Sequence, residues 1–186
     1  MKQNKQPKRL DFLRAFMNVI GTNDSDLAKK MNKSRMTVAR WFQKDDILLS
    51  NLRAIFRLFG YSIRILLSRS AYDDDEPIGQ HGRLAFKYDK GNLPFLSTAM
   101  ARCGVTAREL AERLHVNVST VQHMFASNDL RLSRVIDIAM ALEMSIRVEI
   151  GPLYSCDNTR HEGRRFIARI APLPRVIDQP LDKDGG

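Results

Sequence analysis

The sequence predicts a mainly helical protein with a small β component, the α+β class, made of two tandem repeats that each contain four helices followed by a β-strand. Two observations lead to this prediction. The chain is similar to itself at a shift of 83 residues, and apolar residues in each copy change from helical spacing to strict alternation near its end. A length of 186 residues suits two small units, and 44% hydrophobic and 27% charged residues are typical of a globular chain.

The internal repeat aligns residues 10–67 with residues 93–150 without a gap. Chance identity between sequences of average composition is about one position in sixteen, so this density of matches indicates an internal duplication. The identical pairs include Phe12/Phe95, Leu13/Leu96, Met17/Met100, Gly21/Gly104, Leu27/Leu110, Ala28/Ala111, Thr37/Thr120, Val38/Val121, Phe42/Phe125, Asp46/Asp129, Leu49/Leu132, Ser50/Ser133, Ile55/Ile138 and residues 62–64 with 145–147.

The first half of each copy predicts two helices. In the first copy, Leu10–Ile20 has apolar residues on one helical face, and Gly21 ends the helix because glycine readily adopts a left-handed exit conformation. A second helix is expected to run to about Met31. Either Asn23 or Asp24 is suited to cap its start.

The second half of each copy predicts two more helices and a strand. Ser34 is expected to cap a third helix over Arg35–Gln43, and Ser50 to cap a fourth over Asn51–Phe59. The alternation in Ser62–Ser68 then places Ile63, Ile65 and Leu67 on one face of a strand, and Arg64 and Leu66 on the other.

The strand of the second copy, Ser145–Ile150, alternates in the same way. A lone strand leaves backbone groups unpaired, so we expect the two strands to pair antiparallel and to make one chain a pseudo-two-fold dimer. Such pairing would bring Arg64 or Arg147 within cross-strand reach of Glu149.

A helix-turn-helix pattern, two short helices joined by a tight turn, lies between residues 24 and 44. Ala28 is small enough for the second helix to cross close above it, and the apolar Val38 seals the crossing. The segment DSDLAKKMNKSRMTVARWFQK resembles the Cro/lambda-repressor-like (XRE) helix-turn-helix family, and ARELAERLHVNVSTVQHMFAS is similar to the same pattern more loosely. That family usually has glycine in the turn, where Asn32 and His115 stand here. Histidine tolerates a left-handed conformation less well than asparagine, so the second copy is the weaker match.

The resemblance implies that the third helix of each copy lies in the major groove of DNA, with its N-terminal side chains at base edges. The base-contacting positions implied in the first copy are Arg35, Met36, Ala39 and Arg40. The implied phosphate-contacting positions are Lys33, Thr37, Gln43 and Lys44. The corresponding positions in the second copy are Val118, Ser119, Gln122 and His123, with Ser127 and Asn128 near the backbone. Arginine pairs bidentately with guanine, and glutamine is suited to adenine. Trp41 is expected in the core.

The charge of the chain is concentrated in its first third. The net charge is +9, and residues 1–68 hold 14 Lys and Arg against 5 Asp and Glu, whereas residues 95–151 hold six of each sign. Non-specific DNA affinity arises mostly from phosphate neutralisation, so the first copy is expected to supply most of it. The basic residues of the arm before Leu10 suit either a DNA backbone contact or a solvated tail.

The predicted organisation has five parts: a basic N-terminal arm (1–9), the first repeat with its strand (10–68), a linker (69–92), the second repeat with its strand (93–151) and a partly irregular extension (152–186). Arg83–Tyr88 and Arg165–Ile170 alternate like further strands. Cys103 and Cys156 have no CxxC spacing and are expected as reduced thiols. No membrane span or secretory signal is predicted, so a cytoplasmic, nucleoid-associated location is expected.

These patterns favour a DNA-binding regulator of transcription, expected to be a repressor, with double-stranded DNA as partner and self-association left open. An enzyme is disfavoured because no phosphate loop, nucleophile motif or metal-ligand spacing is present, and no cofactor or metal is expected. The alternative is a helix-turn-helix protein-interaction module, such as an antitoxin or an assembly factor. The neutral second copy or the C-terminal extension would then bind a protein partner.

Overall fold

The computed structural model describes residues 8–68, 84–86, 94–127, 129–153 and 166–171. Within these ranges the chain is mainly helical with a small antiparallel sheet, which confirms the α+β class. The elements of the first half are α1 (Asp11–Val19), α2 (Asp24–Lys30), α3 (Arg35–Lys44), α4 (Leu49–Leu58) and β1 (Tyr61–Ser68). They are followed by β2 (Leu84–Phe86), α5 (Pro94–Cys103), α6 (Ala107–Arg113), α7 (Val118–Ala126), α8 (Leu132–Ala141), β3 (Ser145–Pro152) and β4 (Phe166–Ala171).

The helix starts recur along the chain. Each of α5 to α8 begins 83 residues after its counterpart among α1 to α4, and α2 and α4 also end 83 residues before α6 and α8. The shift that aligns the sequence therefore also aligns the helices.

Local signals explain three of the helix ends in the first half. Gly21 has a φ of 65°, as its predicted role at the end of α1 requires. The side chain of Asn23 accepts hydrogen bonds from the N–H groups of Ser25 and Asp26, and Ser34 Oγ accepts from the N–H of Thr37 at 3.1 Å. The caps predicted for α2 and α3 are therefore confirmed.

The predicted cap of α4 is wrong. The helix begins at Leu49, so Ser50 lies inside its first turn, and Leu48 at the N-cap has no side-chain acceptor. The N–H and the hydroxyl of Ser50 both donate to the carboxylate of Asp129, which belongs to the other half of the chain. A free N–H at a helix start needs an acceptor, and here the acceptor comes from 79 residues away.

The sheet has the order β2-β1-β3-β4, and all neighbours are antiparallel. The predicted pairing of β1 with β3 is confirmed, with Ile65 opposite Val148. Arg64 lies opposite Glu149, and its Nη2 is 3.3 Å from Oε2 of that residue, so the predicted cross-strand pair is also present. The Arg64 side chain is 37% exposed and that of Glu149 is 13% exposed, and a cross-strand pair of opposite charges contributes about 0.2–1 kcal/mol.

The two further strands that alternation predicted are present as β2 and β4, at the outer edges of the sheet. Of the predicted strand Arg83–Tyr88, the structure describes Leu84–Phe86 as β2, and the rest of that segment lies outside the described residues. On β1, Leu66 is buried although it is on the opposite face from Leu67, which is also buried. The second face of the sheet is therefore partly covered as well.

One hydrophobic core joins the two halves. Apolar side chains of all eight helices and of β1 and β3 belong to a single cluster. In the first half the core is aromatic, with the rings of Phe16 and Phe56 4.5 Å apart between centroids, whereas the equivalent positions in the second half are Ala99 and Ala139. Trp41 is 8% exposed and belongs to the core, as predicted.

Candidate nucleic-acid interface

The crossing of α2 and α3 is held by two buried side chains and a tight turn. Ala28 and Val38 are both buried, and the N–H of Lys33 donates to the carbonyl of Ala28 at 2.9 Å. Asn32 in the turn has a φ of 50°, a left-handed conformation that asparagine adopts more readily than most residues. This packing fixes one side of α3 and leaves the other side facing solvent.

The exposed side of α3 and its leading turn carries most of the first-copy positions named from the sequence. The exposed residues are Lys33, Arg35, Met36, Ala39, Arg40, Gln43 and Lys44. Met36 is 68% exposed, the highest value among the exposed large apolar side chains of the described residues. Thr37 is half-buried, and its hydroxyl lies 2.9 Å from Ser34 Oγ within the helix cap. Its local role is therefore in the cap.

Arg14 of α1 fastens α3 to the rest of the first half. Its guanidinium lies 3.5 Å from the ring centroid of Phe42 on α3 and forms a salt bridge with Asp24 on α2. One side chain thus connects three helices through a stacking contact and an ion pair. Sequence reasoning missed this residue, because its partners are 10 and 28 positions away on different helices.

Asp45 connects the N-terminal arm to the end of α3. It has a φ of 50° just after the helix, and its carboxylate accepts from the N–H of Arg9 at 2.7 Å and of Leu10 at 2.9 Å. Lys8 and Arg9 are exposed, and Lys8 lines the same surface depression as Ala39 and Gln43 of α3. The described part of the arm therefore extends the basic surface of α3. Residues 1–7 lie outside the described residues.

The second half has the same crossing but a different surface. Ala111 and Val121 are buried, and His115 in the turn has a φ of 53°. The exposed positions are Val118, Ser119, Gln122 and His123. No Lys or Arg lies within α7, in contrast to Arg35, Arg40 and Lys44 in α3.

Ser127 and Asn128, which follow α7 and were predicted to lie near the DNA backbone, have different outcomes. Ser127 donates its hydroxyl to the carbonyl of Asp129 at 2.6 Å, so it is engaged in its own turn. Asn128 lies outside the described residues.

The start of α6 is a capping box. Thr106 Oγ1 accepts from the N–H of Glu109, whose carboxylate accepts from the N–H and the hydroxyl of Thr106. The backbone hydrogen bond from Thr106, followed by the hydroxyl bond, lowers the pKa of Glu109 below its usual value. A lowered pKa in the folded state gives stability that is present at neutral pH and is lost as the carboxylate becomes protonated in acid.

The segments that follow α3 and α7 meet at the junction between the halves. The N–H of Leu49 donates to the carbonyl of Leu130, and the N–H of Leu132 donates to the carbonyl of Ile47, both at 2.8 Å. These bonds surround the single bridge between Leu48 and Arg131. Only a few residues separate that bridge from the end of either helix.

Within the described residues there is neither a candidate metal site nor a candidate membrane-spanning helix. None of their His, Cys, Asp and Glu side chains form a group of three or more that could hold a metal ion. None of the helices described is long and apolar enough to cross a membrane. Cys103 is half-buried, with its Sγ 3.7 Å from the carbonyl of Leu142, and Cys156 lies outside the described residues.

Comparison of the chain with family models, with curated proteins and with solved structures gives no match. The resemblance to the lambda-repressor-like family therefore rests on the residues of the two segments.

Proposed function

We propose that the chain is a sequence-specific double-stranded DNA-binding regulator of transcription, built from two lambda-repressor-like helix-turn-helix repeats. In this proposal α3 lies in the major groove, with Arg35, Met36, Ala39 and Arg40 at base edges and with Lys33, Gln43 and Lys44 at phosphates. The second repeat reads its own half-site through Gln122 and its neighbours on α7. Repression is the expected mode of regulation.

The observation that carries the proposal is the exposed side of α3. A helix that is packed through Val38 and Trp41 presents two arginines, a methionine and an alanine to solvent, with lysines before and at its end. This surface lies in the half that holds nine more basic than acidic residues, counted over residues 1–68. A rigid helix with small, apolar and bidentate side chains on one side suits a groove with a base-specific pattern of donors, acceptors and methyl groups.

The symmetry of the contacts between the halves supports a pseudo-two-fold arrangement. Exchanging each residue for its counterpart 83 positions away leaves the β1–β3 register unchanged, with Ile65 and Val148 as the central pair. The same exchange maps the Leu49–Leu130 hydrogen bond onto the one between Leu132 and Ile47. Contacts that are mutual in this way are those of an isologous dimer, here contained in one chain.

Chain length limits how far apart the two reading helices lie. Lys44 and Ala126, the last residues of α3 and α7, are four and five residues from the Leu48–Arg131 bridge. Fully extended segments of that length, with the bridge between them, span no more than roughly 35–40 Å. The segment after α3 is shorter than this limit, because Asp45 has a left-handed conformation and the N–H of Asp46 donates to the carbonyl of Trp41. The proposal requires the two helices to enter successive major grooves, which are ~34 Å apart on one side of a duplex. One chain would then occupy an asymmetric pair of half-sites, because the two helices differ in sequence.

A first test measures how binding depends on salt. We expect Lys44→Ala to weaken binding to all duplexes alike and to reduce the slope of log affinity against log salt by about 1, because one phosphate contact is lost. Fluorescence anisotropy with a labelled random-sequence duplex gives the slope.

The matched control for this test is Arg102→Ala, which removes an exposed basic residue from the last turn of α5. The slope of that variant should equal the wild-type slope. Equal slopes for Lys44→Ala and wild type would remove Lys44 from the interface, and the absence of any salt-dependent binding by the wild type would contradict the proposed function.

A protein-interaction module is the second candidate, and the second half favours it. The surface of α7 has no Lys or Arg, and Val118 on it is 37% exposed. An antitoxin or assembly factor would use such a neutral surface for a protein partner. A stoichiometric protein that co-purifies with the wild type and is lost with a Val118→Asp variant would support this candidate.

A further inference from the structure

A reciprocal pair of helix caps joins the two halves. Asp129 accepts from the N–H of Ser50 at 3.0 Å and from its hydroxyl, as described above. Asp46 does the same for Ser133, accepting from its N–H and from its hydroxyl, both at 3.0 Å. Each carboxylate thus caps the first turn of the fourth helix of the opposite half.

Each capping residue lies in the short segment between a helix that we propose to read DNA, α3 or α7, and the Leu48–Arg131 bridge. Asp46 is two residues after α3, and Asp129 is three residues after α7. α3 is therefore fastened to α8, and α7 to α4, by short segments that end in two hydrogen bonds each. The Asp46 side chain is 12% exposed, which limits competition by water for these bonds.

Arg131 adds charge to one side of this arrangement. Its Nη1 is 3.5 Å from Oδ2 of Asp46, whereas the counterpart of Arg131 in the first half is Leu48. The backbone bonds of residues 47–49 with 130–132 lie between the two caps. Caps and backbone bonds together resist both rotation and separation of the two halves at the point nearest to α3 and α7.

We propose that Asp46 and Asp129 are positioning residues that set the distance and the rotation between the two DNA half-sites that the chain accepts. The inference rests on the proposed function. Without the caps, the halves would still be joined by the β1–β3 pairing, the core and the backbone bonds of residues 47–49 with 130–132, but the segments after α3 and α7 would be held less firmly. The chain would then tolerate half-sites at several spacings, while each half would read its own bases as before.

The test uses the full chain and the duplex that the wild type selects from a random-sequence library. Inserting 2 base pairs between the half-sites rotates one against the other by ~70°. We expect the insertion to weaken wild-type binding about tenfold or more, since one half-site is lost. The Asp46→Asn/Asp129→Asn variant should bind both duplexes with affinities within about threefold of each other, because each cap loses charge-assisted hydrogen bonds.

Two further variants complete this test, one as a control and one as a milder change at the caps. Asp137→Asn makes the same chemical change on α8, at a residue that pairs with Arg134 of its own helix, and should keep the wild-type preference for spacing. Ser50→Ala/Ser133→Ala removes the two hydroxyl donors and leaves both N–H donors, so it is expected to fold and to relax the preference partly, even where the double asparagine variant does not fold. Thermal unfolding followed by circular dichroism shows whether each variant is folded.

The outcomes separate the inference from the function on which it rests. A spacing preference that is equally strong in the wild type and in either folded double variant would overturn the inference and leave the proposed function intact. A wild type that binds its selected duplex equally well with and without the insertion would also overturn it. A wild type that selects no duplex at all would contradict the proposed function itself.

Discussion

Replacing Arg40 by alanine is expected to weaken binding to the selected DNA sequence by about 1–3 kcal/mol, because one bidentate base contact is lost. The side chain is exposed on the side of α3 opposite Val38, so the fold should be retained. Titration of the variant against the selected duplex and against a random duplex at one salt concentration measures the effect. The loss should be larger on the selected duplex.

The control for Arg40 is Arg57→Ala, which removes an exposed arginine from the last turn of α4 and should leave both affinities unchanged. An equal loss for Arg40→Ala on both duplexes would make Arg40 a phosphate contact. No loss on either duplex would remove it from the interface.

Replacing Phe56 by alanine is expected to lower the free energy of unfolding by about 3–5 kcal/mol, as large-to-small changes at buried phenylalanine do. The side chain is fully buried, and its ring contacts Phe16 at 4.5 Å and Phe12 at 6.4 Å between centroids. The second half has Ala139 at the equivalent position, but it also has Ala99 in place of Phe16, so its core is built around smaller side chains. In the first half the side chains pack around the Phe56 ring, so alanine at this position would leave a cavity.

Urea unfolding followed by circular dichroism gives the stability change. Leu58→Ala on the same helix is the control, since Leu58 is 46% exposed and its loss should cost no more than about 0.5 kcal/mol. A Phe56→Ala variant as stable as Leu58→Ala would show that the aromatic packing of the first half contributes little.

The helices were predictable because their signals are local. The spacing of apolar residues, the cap residues Asn23 and Ser34, and the left-handed Gly21 all act within a few positions, and the ends of α1 to α3 agree with them to within one or two residues. Alternation predicted β2 and β4 for the same reason. The pairing of β1 with β3 was also predictable, because two lone strands each need a partner.

Contacts between distant residues were not predictable in this way. The sequence placed a serine where α4 begins, and local reasoning made Ser50 its cap, whereas the acceptor is Asp129. One signal was available in the sequence. The polar residues Asp46 and Ser50 are identical to their counterparts Asp129 and Ser133, and packing of the core does not explain these identities. Arg14 and Asp45 were missed for the same reason. Arg14 stacks on Phe42, and Asp45 accepts a hydrogen bond from the N–H of Arg9, and both contacts join residues that are distant in sequence.

The most direct measurement of the central claim, that α3 reads DNA in a sequence-specific way, is selection from random duplex DNA by the wild-type chain, with Arg40→Ala selected in parallel. The wild type should enrich a site of two unlike half-sites about 10 base pairs apart from centre to centre, and Arg40→Ala should lose the preference at one position. The absence of enrichment would contradict the reading of DNA by α3, and a perfect palindrome bound by two chains would contradict the pseudo-two-fold arrangement within one chain.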